Sequence, residues 1–82
     1  MTDNIRLPDE LGLQLRARRE ALGLSKSALA EKAGKVREVI YRLEAGEDTT
    51  VSSLLAVMGA LGLVMRMERA GLPTASEVAA RF

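Results

Sequence analysis

Leu24 to Gly46, LSKSALAEKAGKVREVIYRLEAG, is the stretch on which the reading of this 82-residue chain turns. Ser25 stands where its hydroxyl can cap orphan N–H groups of a helix opening at Lys26. Leu29, Ala30 and Ala33 fall on the inward face of that helix and are small enough to let a second helix approach closely. Gly34 supplies the left-handed backbone that ends a helix cheaply, and Lys35 and Val36 complete the connection. A second short helix then runs from about Arg37 to Ala45. Val36, Ile40 and Leu43 are spaced to point inward from it, which leaves Arg37, Glu38, Tyr41 and Arg42 on the outer face. Gly46 closes it as Gly34 closed its predecessor.

Two helices split by a short, Gly-containing turn have helix-turn-helix spacing, in which the second helix is the one offered to a DNA major groove. On the N-terminal side, Pro8 and Asp9 start a helix expected from about Glu10 to Leu22, with Leu11, Leu15 and Leu22 inward and Gly23 as its stop. Arg16, Arg18 and Arg19 follow closely on it. The simplest role for Arg16 and Arg18 is a solvated face within reach of phosphates. On the C-terminal side, Glu47 to Thr50 is a polar loop. Thr50 caps a helix from about Val51 to Leu61, with Val51, Leu54, Leu55, Met58 and Leu61 inward. After Gly62 the stretch Leu63-Val64-Met65-Arg66-Met67-Glu68 alternates as a strand does, with Leu63, Met65 and Met67 on one side and Arg66 and Glu68 on the other. A lone strand cannot satisfy its backbone groups, so the expected partner is the same strand of a second copy across a two-fold axis. Continuation of the preceding helix through Met67 is the competing reading, and Gly62 weighs against it.

Composition narrows the chemistry. The chain has no cysteine and no histidine, which excludes disulfides, thiolate nucleophiles, imidazole bases and the usual zinc sites. No Gly-rich phosphate cradle occurs, and the carboxylates are scattered, so no catalytic residue, metal or cofactor is expected. No apolar run approaches the roughly 20 residues that span a bilayer, and Met1 to Glu10 is unlike a signal peptide; the expectation is a cytoplasmic protein. The net charge is only +1, but its distribution is uneven. Arg16 to Arg42 carries eight Lys and Arg against Glu20, Glu31 and Glu38, whereas the segments before and after it are each net acidic. The positive charge sits in the unit that would face DNA.

Leu11-Gly12, Leu15-Arg16, Arg19, Gly23-Leu24-Ser25, Leu29-Ala30, Ala33-Gly34, Ile40, Arg42-Leu43-Glu44 and Gly46 together resemble the recurring pattern of the XRE (Cro/CI-type) helix-turn-helix domain. The match continues through Leu54-Leu55 and Ala60-Leu61-Gly62. In size and layout the chain also resembles the HipB-like antitoxins, which dimerise through a strand after the last helix. The resemblance implies an all-α, lambda-repressor-like domain of four to five helices, with the C-terminal strand forming an intersubunit ribbon. It further implies that Arg19 pairs with Glu44 and locks the first helix to the recognition helix. Two positions depart from the pattern: Lys26 replaces the usual Gln, favouring a phosphate contact, and Ala45 replaces the usual Asn, removing one.

Placed on that frame, Arg37 and Glu38 are the expected base readers, toward guanine and cytosine respectively. Val39 is placed to meet a thymine methyl or to pack as partial core, and Arg42 to reach a base or a phosphate. Lys26, Ser27, Lys35 and Tyr41 are expected on the DNA backbone. The organisation expected is a flexible arm over 1–9, the helix-turn-helix domain over 10–62, a dimerisation strand over 63–69 built on Leu63, Val64, Met65, Arg66 and Met67, and a tail over 70–82. In the tail, Leu72, Val78 and Phe82 are the residues that would enter a partner's pocket, against the plainer reading of a disordered terminus. The partners expected are double-stranded operator DNA, a second copy of the chain and, for an autoregulating antitoxin, a toxin protein. A regulator without a toxin and a helix-turn-helix used only for protein contacts are the alternatives.

Overall fold

The computed structural model describes residues 4–71. Among them four helices follow in order, α1 Pro8–Ala21, α2 Lys26–Ala33, α3 Arg37–Glu44 and α4 Val51–Ala60, and there is no strand. α1 starts two residues before the expected Glu10, because Pro8 lacks only an N–H that the first helical position leaves unpaired anyway. Asp9 and Glu10 occupy its first turn, where the macrodipole favours acids. Ser25 Oγ accepts the Ala28 N–H at 3.0 Å. Thr50 Oγ1 accepts the Ser53 N–H at 3.1 Å and donates to Ser53 Oγ at 2.8 Å, which also satisfies the buried Ser53 hydroxyl.

The helix ends share one device. Gly34, at φ 68°, lets its own N–H reach the Glu31 carbonyl at 3.1 Å and the Lys35 N–H reach the Ala30 carbonyl at 2.9 Å. The same pair of bonds recurs after α1, α3 and α4. At Gly62, with φ 72°, it stops α4 at Ala60, so that helix does not continue through Met67.

Leu15 of α1, Leu29 and Ala30 of α2, Ile40 and Leu43 of α3, Val57 and Met58 of α4, and Leu61 just beyond it form one buried core. α3 packs on both α1 and α2, and α2 packs on α4. Gly12 permits a close approach of α1 to the end of α3: a Cβ there would lie 2.5 Å from the Glu44 carbonyl oxygen and 2.7 Å from that of Leu43. α1 can cross the end of α3 only because position 12 has no side chain.

Four residues expected inside are exposed. Val36 is 68% exposed, because it is the extended N-cap of α3 rather than part of its helical register. Leu22 keeps the helical spacing to Leu11 and Leu15 but is the C-cap, past the last turn of α1, and is 42% exposed. On α4 the inward face runs through Leu54, Val57, Met58 and Leu61; Leu55, one position round from Leu54, turns out, and Val57 takes the buried place. Val51 opens α4 at the mouth of a crevice of about 160 Å³ that it shares with Pro8, Leu11 and Leu54.

Residues 63–69, expected as a strand against a second copy, carry neither helix nor strand in the single chain. Leu63 packs against the core, whereas Val64 is 81% and Met67 92% exposed. The expected tail contacts at Leu72, Val78 and Phe82 lie outside the described residues. No helix among the described residues is long and apolar enough to cross a membrane, and no cluster of acids there has the makings of a metal site.

Candidate nucleic-acid interface

Burying Ile40 and Leu43 fixes the rotation of α3 and thereby turns Arg37, Glu38 and Tyr41 outward. Val39 is half-buried and packs against the core, so only part of it is free to face a ligand. From α2, Lys26 stands at the first helical position and Ser27 is exposed beside it; Lys35 sits half-buried in the turn.

The structure gathers three of these side chains. The Lys26 Nζ lies 4.0 Å from the centre of the Tyr41 ring, and the Arg37 Cζ 5.1 Å from it. Arg37 Nη2 also donates to Tyr41 Oη at 2.6 Å. Arg37 and Tyr41 are one helical turn apart on α3, which is why they meet. Lys26 arrives from the neighbouring helix, and sequence spacing alone does not reveal its place on the ring. Two cations thus share one aromatic face system on an exposed surface.

The placement of those cations runs against local preference. Lys26 and Arg37 are the first residues of α2 and α3, where the positive end of the macrodipole disfavours cations. No acid in the first turn of α2 compensates Lys26. Two cations at helix N-termini make this surface electropositive, which suits an anion.

Arg42 does not join the cluster. Its Nε donates to the Asp48 carbonyl at 3.0 Å, and its Nη1 stands 3.5 Å from Glu47 Oε2, so its guanidinium braces the loop after α3.

The back of α3 is held by Arg19. Its Nε donates to Glu44 Oε2 at 2.7 Å, its Nη2 to Glu44 Oε1 at 3.1 Å and its Nη1 to the Leu24 carbonyl at 2.9 Å. The two side chains are only 10% and 6% exposed. The hydrogen bonds Arg19 donates to Glu44 raise its pKa, burial opposes that rise and the Glu44 charge adds to it, leaving a cation across the working pH range. One guanidinium therefore joins α1, the entry to α2 and the end of α3. Arg18 lies on the exposed face read from sequence and in addition donates Nε to the Leu61 carbonyl at 2.9 Å, which places a cation at the C-terminus of α4. Arg16 keeps to the surface, 3.5 Å from Glu20.

A family model described as helix-turn-helix matches residues 15–64, well over half of the chain. Among solved structures, one described as "HipB-O4 20mer complex" superposes with a TM-score of 0.78 at 25% identity, covering 85% of this chain and 100% of that one. Another, "Structure of HipA-HipB-O2-O3 complex", gives 0.78 at 24% identity with the same coverage. A third, "MDT Protein", gives 0.78 at 25% identity, again covering 85% and 100%. No curated protein matches the sequence.

Proposed function

Because the chain belongs to the XRE-type helix-turn-helix family, we propose that it is a sequence-specific DNA-binding repressor acting as a homodimer on an inverted-repeat operator. The observation that carries this reading is the exposed start of α3, where Arg37 and Glu38 stand clear while Lys26 reaches the same surface from α2. Arg37 has the donors for guanine O6 and N7, and Glu38 accepts from cytosine N4. Lys26, Ser27 and Lys35 take phosphates and set the register without reading sequence. Val39 offers its exposed edge to a thymine methyl. Arg42 keeps its loop contacts and acts on the backbone side rather than on a base. The exposed apolar residues Val64, Met65 and Met67 supply the surface on which a second copy pairs. Two-fold symmetry then sets half-site centres roughly 10 bp, or one further turn, apart.

Selection of bound duplexes from a randomised pool tests the reading. An inverted repeat should emerge, with affinity falling steeply as salt rises. On the selected duplex, Arg37→Ala should cost about 1 to 3 kcal/mol and relax one position, whereas Lys26→Ala should weaken all sequences together and flatten the salt slope by about one unit. A pool that is not enriched and an affinity indifferent to salt would overturn it.

A second reading adds a protein partner, which makes the chain the antitoxin of a toxin-antitoxin operon. Its support is the likeness to a structure described as a HipA-HipB complex. In this reading the tail with Leu72, Val78 and Phe82 holds the toxin. Co-purification of the intact chain, and of a chain ending at Ala70, with the product of the adjacent gene decides it; capture by the intact chain alone is the expected result, and capture by neither removes the idea.

A further inference from the structure

Two cations of the candidate surface, Lys26 and Arg37, converge on the Tyr41 side chain. Its hydroxyl accepts from Arg37 Nη2 at 2.6 Å, and its ring carries the Lys26 Nζ at 4.0 Å. A free arginine on an exposed helix turn samples many rotamers, and ordering it to grip a guanine costs affinity on the duplexes that offer that guanine, which erodes discrimination at that base pair. The geometry points to Tyr41 as a positioning residue that aims Arg37 before DNA arrives and couples it to the phosphate contact of Lys26. This inference rests on the DNA-binding reading and deepens it by assigning the source of base discrimination.

The donor count allows it. A guanidinium has five N–H donors in a rigid fork. One is given to Tyr41, and four are left, enough for a bidentate grip on guanine. Arg37 therefore keeps its brace while reading a base. The ring contact works differently, since it holds the Lys26 ammonium through its charge alone. Removing the hydroxyl should thus free Arg37 and leave Lys26 seated, whereas removing the ring should free both. Tyr41 is itself exposed and absent from the core, so neither change should unfold the domain.

The test uses the duplex selected from a randomised pool by the unaltered protein, together with duplexes changed at one base pair at a time. Tyr41→Phe is expected to lower discrimination by roughly three- to tenfold at the base pair that Arg37→Ala also relaxes. The salt slope should stay unchanged, and Tyr41→Phe should add no further loss of discrimination in the Arg37→Ala background. Tyr41→Leu should in addition weaken all duplexes. Equal weakening of every duplex by Tyr41→Phe, or discrimination left intact, overturns the assignment. Failure of the unaltered protein to bind any duplex in a salt-dependent way is a different result and sinks the DNA reading itself.

A readout without DNA is also at hand, because Tyr41 is the only tyrosine and the chain has no tryptophan. Tyrosine emission of the free protein should change on Arg37→Ala and again on Lys26→Ala. An emission indifferent to both would show that the contacts do not persist in solution and would overturn the proposal.

Discussion

Replacing Arg19 by Met should be the most damaging conservative-sized change in the domain. The guanidinium makes three hydrogen bonds, two to Glu44 and one to the Leu24 carbonyl, and the Glu44 side chain is only 6% exposed. Without Arg19 that carboxylate stays buried with its charge uncompensated, a situation that costs about 3 to 5 kcal/mol. A chain of this length has a total stability on the order of 4 to 12 kcal/mol. The loss is therefore a large fraction of the whole, and at roughly 4 °C or more per kcal/mol the melting temperature should fall by at least about 12 °C. The double variant Arg19→Met with Glu44→Leu should recover much of that loss, since an apolar pair no longer strands a charge. Thermal and urea unfolding followed by circular dichroism, on the parent, both single variants and the double, gives the coupling energy. Repeating the series in 1 M salt should change little, because a pair shielded from solvent is poorly screened. If each single variant costs less than about 1 kcal/mol and the double is additive, the pair behaves as an exposed one does and the reasoning fails.

Gly12→Ala gains helix propensity of about 1 kcal/mol elsewhere in a helix, but here its Cβ meets the carbonyls of Leu43 and Glu44; calorimetry should show a net loss of about 1 to 3 kcal/mol. Thr50→Ala removes the cap of α4 and the partner of the buried Ser53 hydroxyl, so chemical denaturation should report a loss of about 1 to 2 kcal/mol. Arg18→Gln should speed amide exchange around Met58 to Gly62, with a stability loss of about 0.5 to 1.5 kcal/mol from the freed Leu61 carbonyl. Glu20→Ala breaks an exposed pair with Arg16 and removes a minor favourable charge near Arg19, and stability from urea unfolding should stay within about 0.5 kcal/mol of the parent.

Local signals carried most of the fold. Ser25, Gly34, Gly46, Thr50 and Gly62 act through bonds to residues within five positions, so the helix boundaries at α2, α3 and α4 were legible to within a residue or so. Which apolar residues lie inside was less legible, because the periodicity of a short helix does not say where its cap begins. Val36 keeps helical spacing to Ile40 yet stands outside the helix. On α4, every position from Leu54 to Leu61 is apolar or small, and only the packed neighbours choose Val57 over Leu55. For the site, exposure of Arg37, Glu38 and Tyr41 follows from the buried pair Ile40 and Leu43. The seats of Lys26 on Tyr41, Arg42 on the loop and Arg18 on α4 depend on how helices meet, which one-dimensional spacing does not encode.

α2 and α3 have eight residues each, too few to hold helical structure alone in water. Their shape must come from packing and from polar ties; Ile40 and Leu43 bury one face of α3, and its side-chain hydrogen bonds to other elements all fall at its C-terminal end. Gly12 admits α1 against the carbonyls of Leu43 and Glu44, Arg19 grips the Glu44 side chain, and Arg42 ties the same end to the following loop. The opposite end has no side-chain cap from Val36 and carries Arg37, Glu38 and, one turn on, Tyr41. A helix fixed at its C-terminus and open at its N-terminus presents backbone N–H groups and cations together, the combination that suits a phosphate-lined groove. It also means that the aim of Arg37 depends on contacts at the far end of the same helix. On the proposed DNA-reading role of Arg37, Arg19 should influence recognition through the pose of α3, and Arg19→Met is expected to weaken duplex binding even at temperatures where circular dichroism shows the domain still folded.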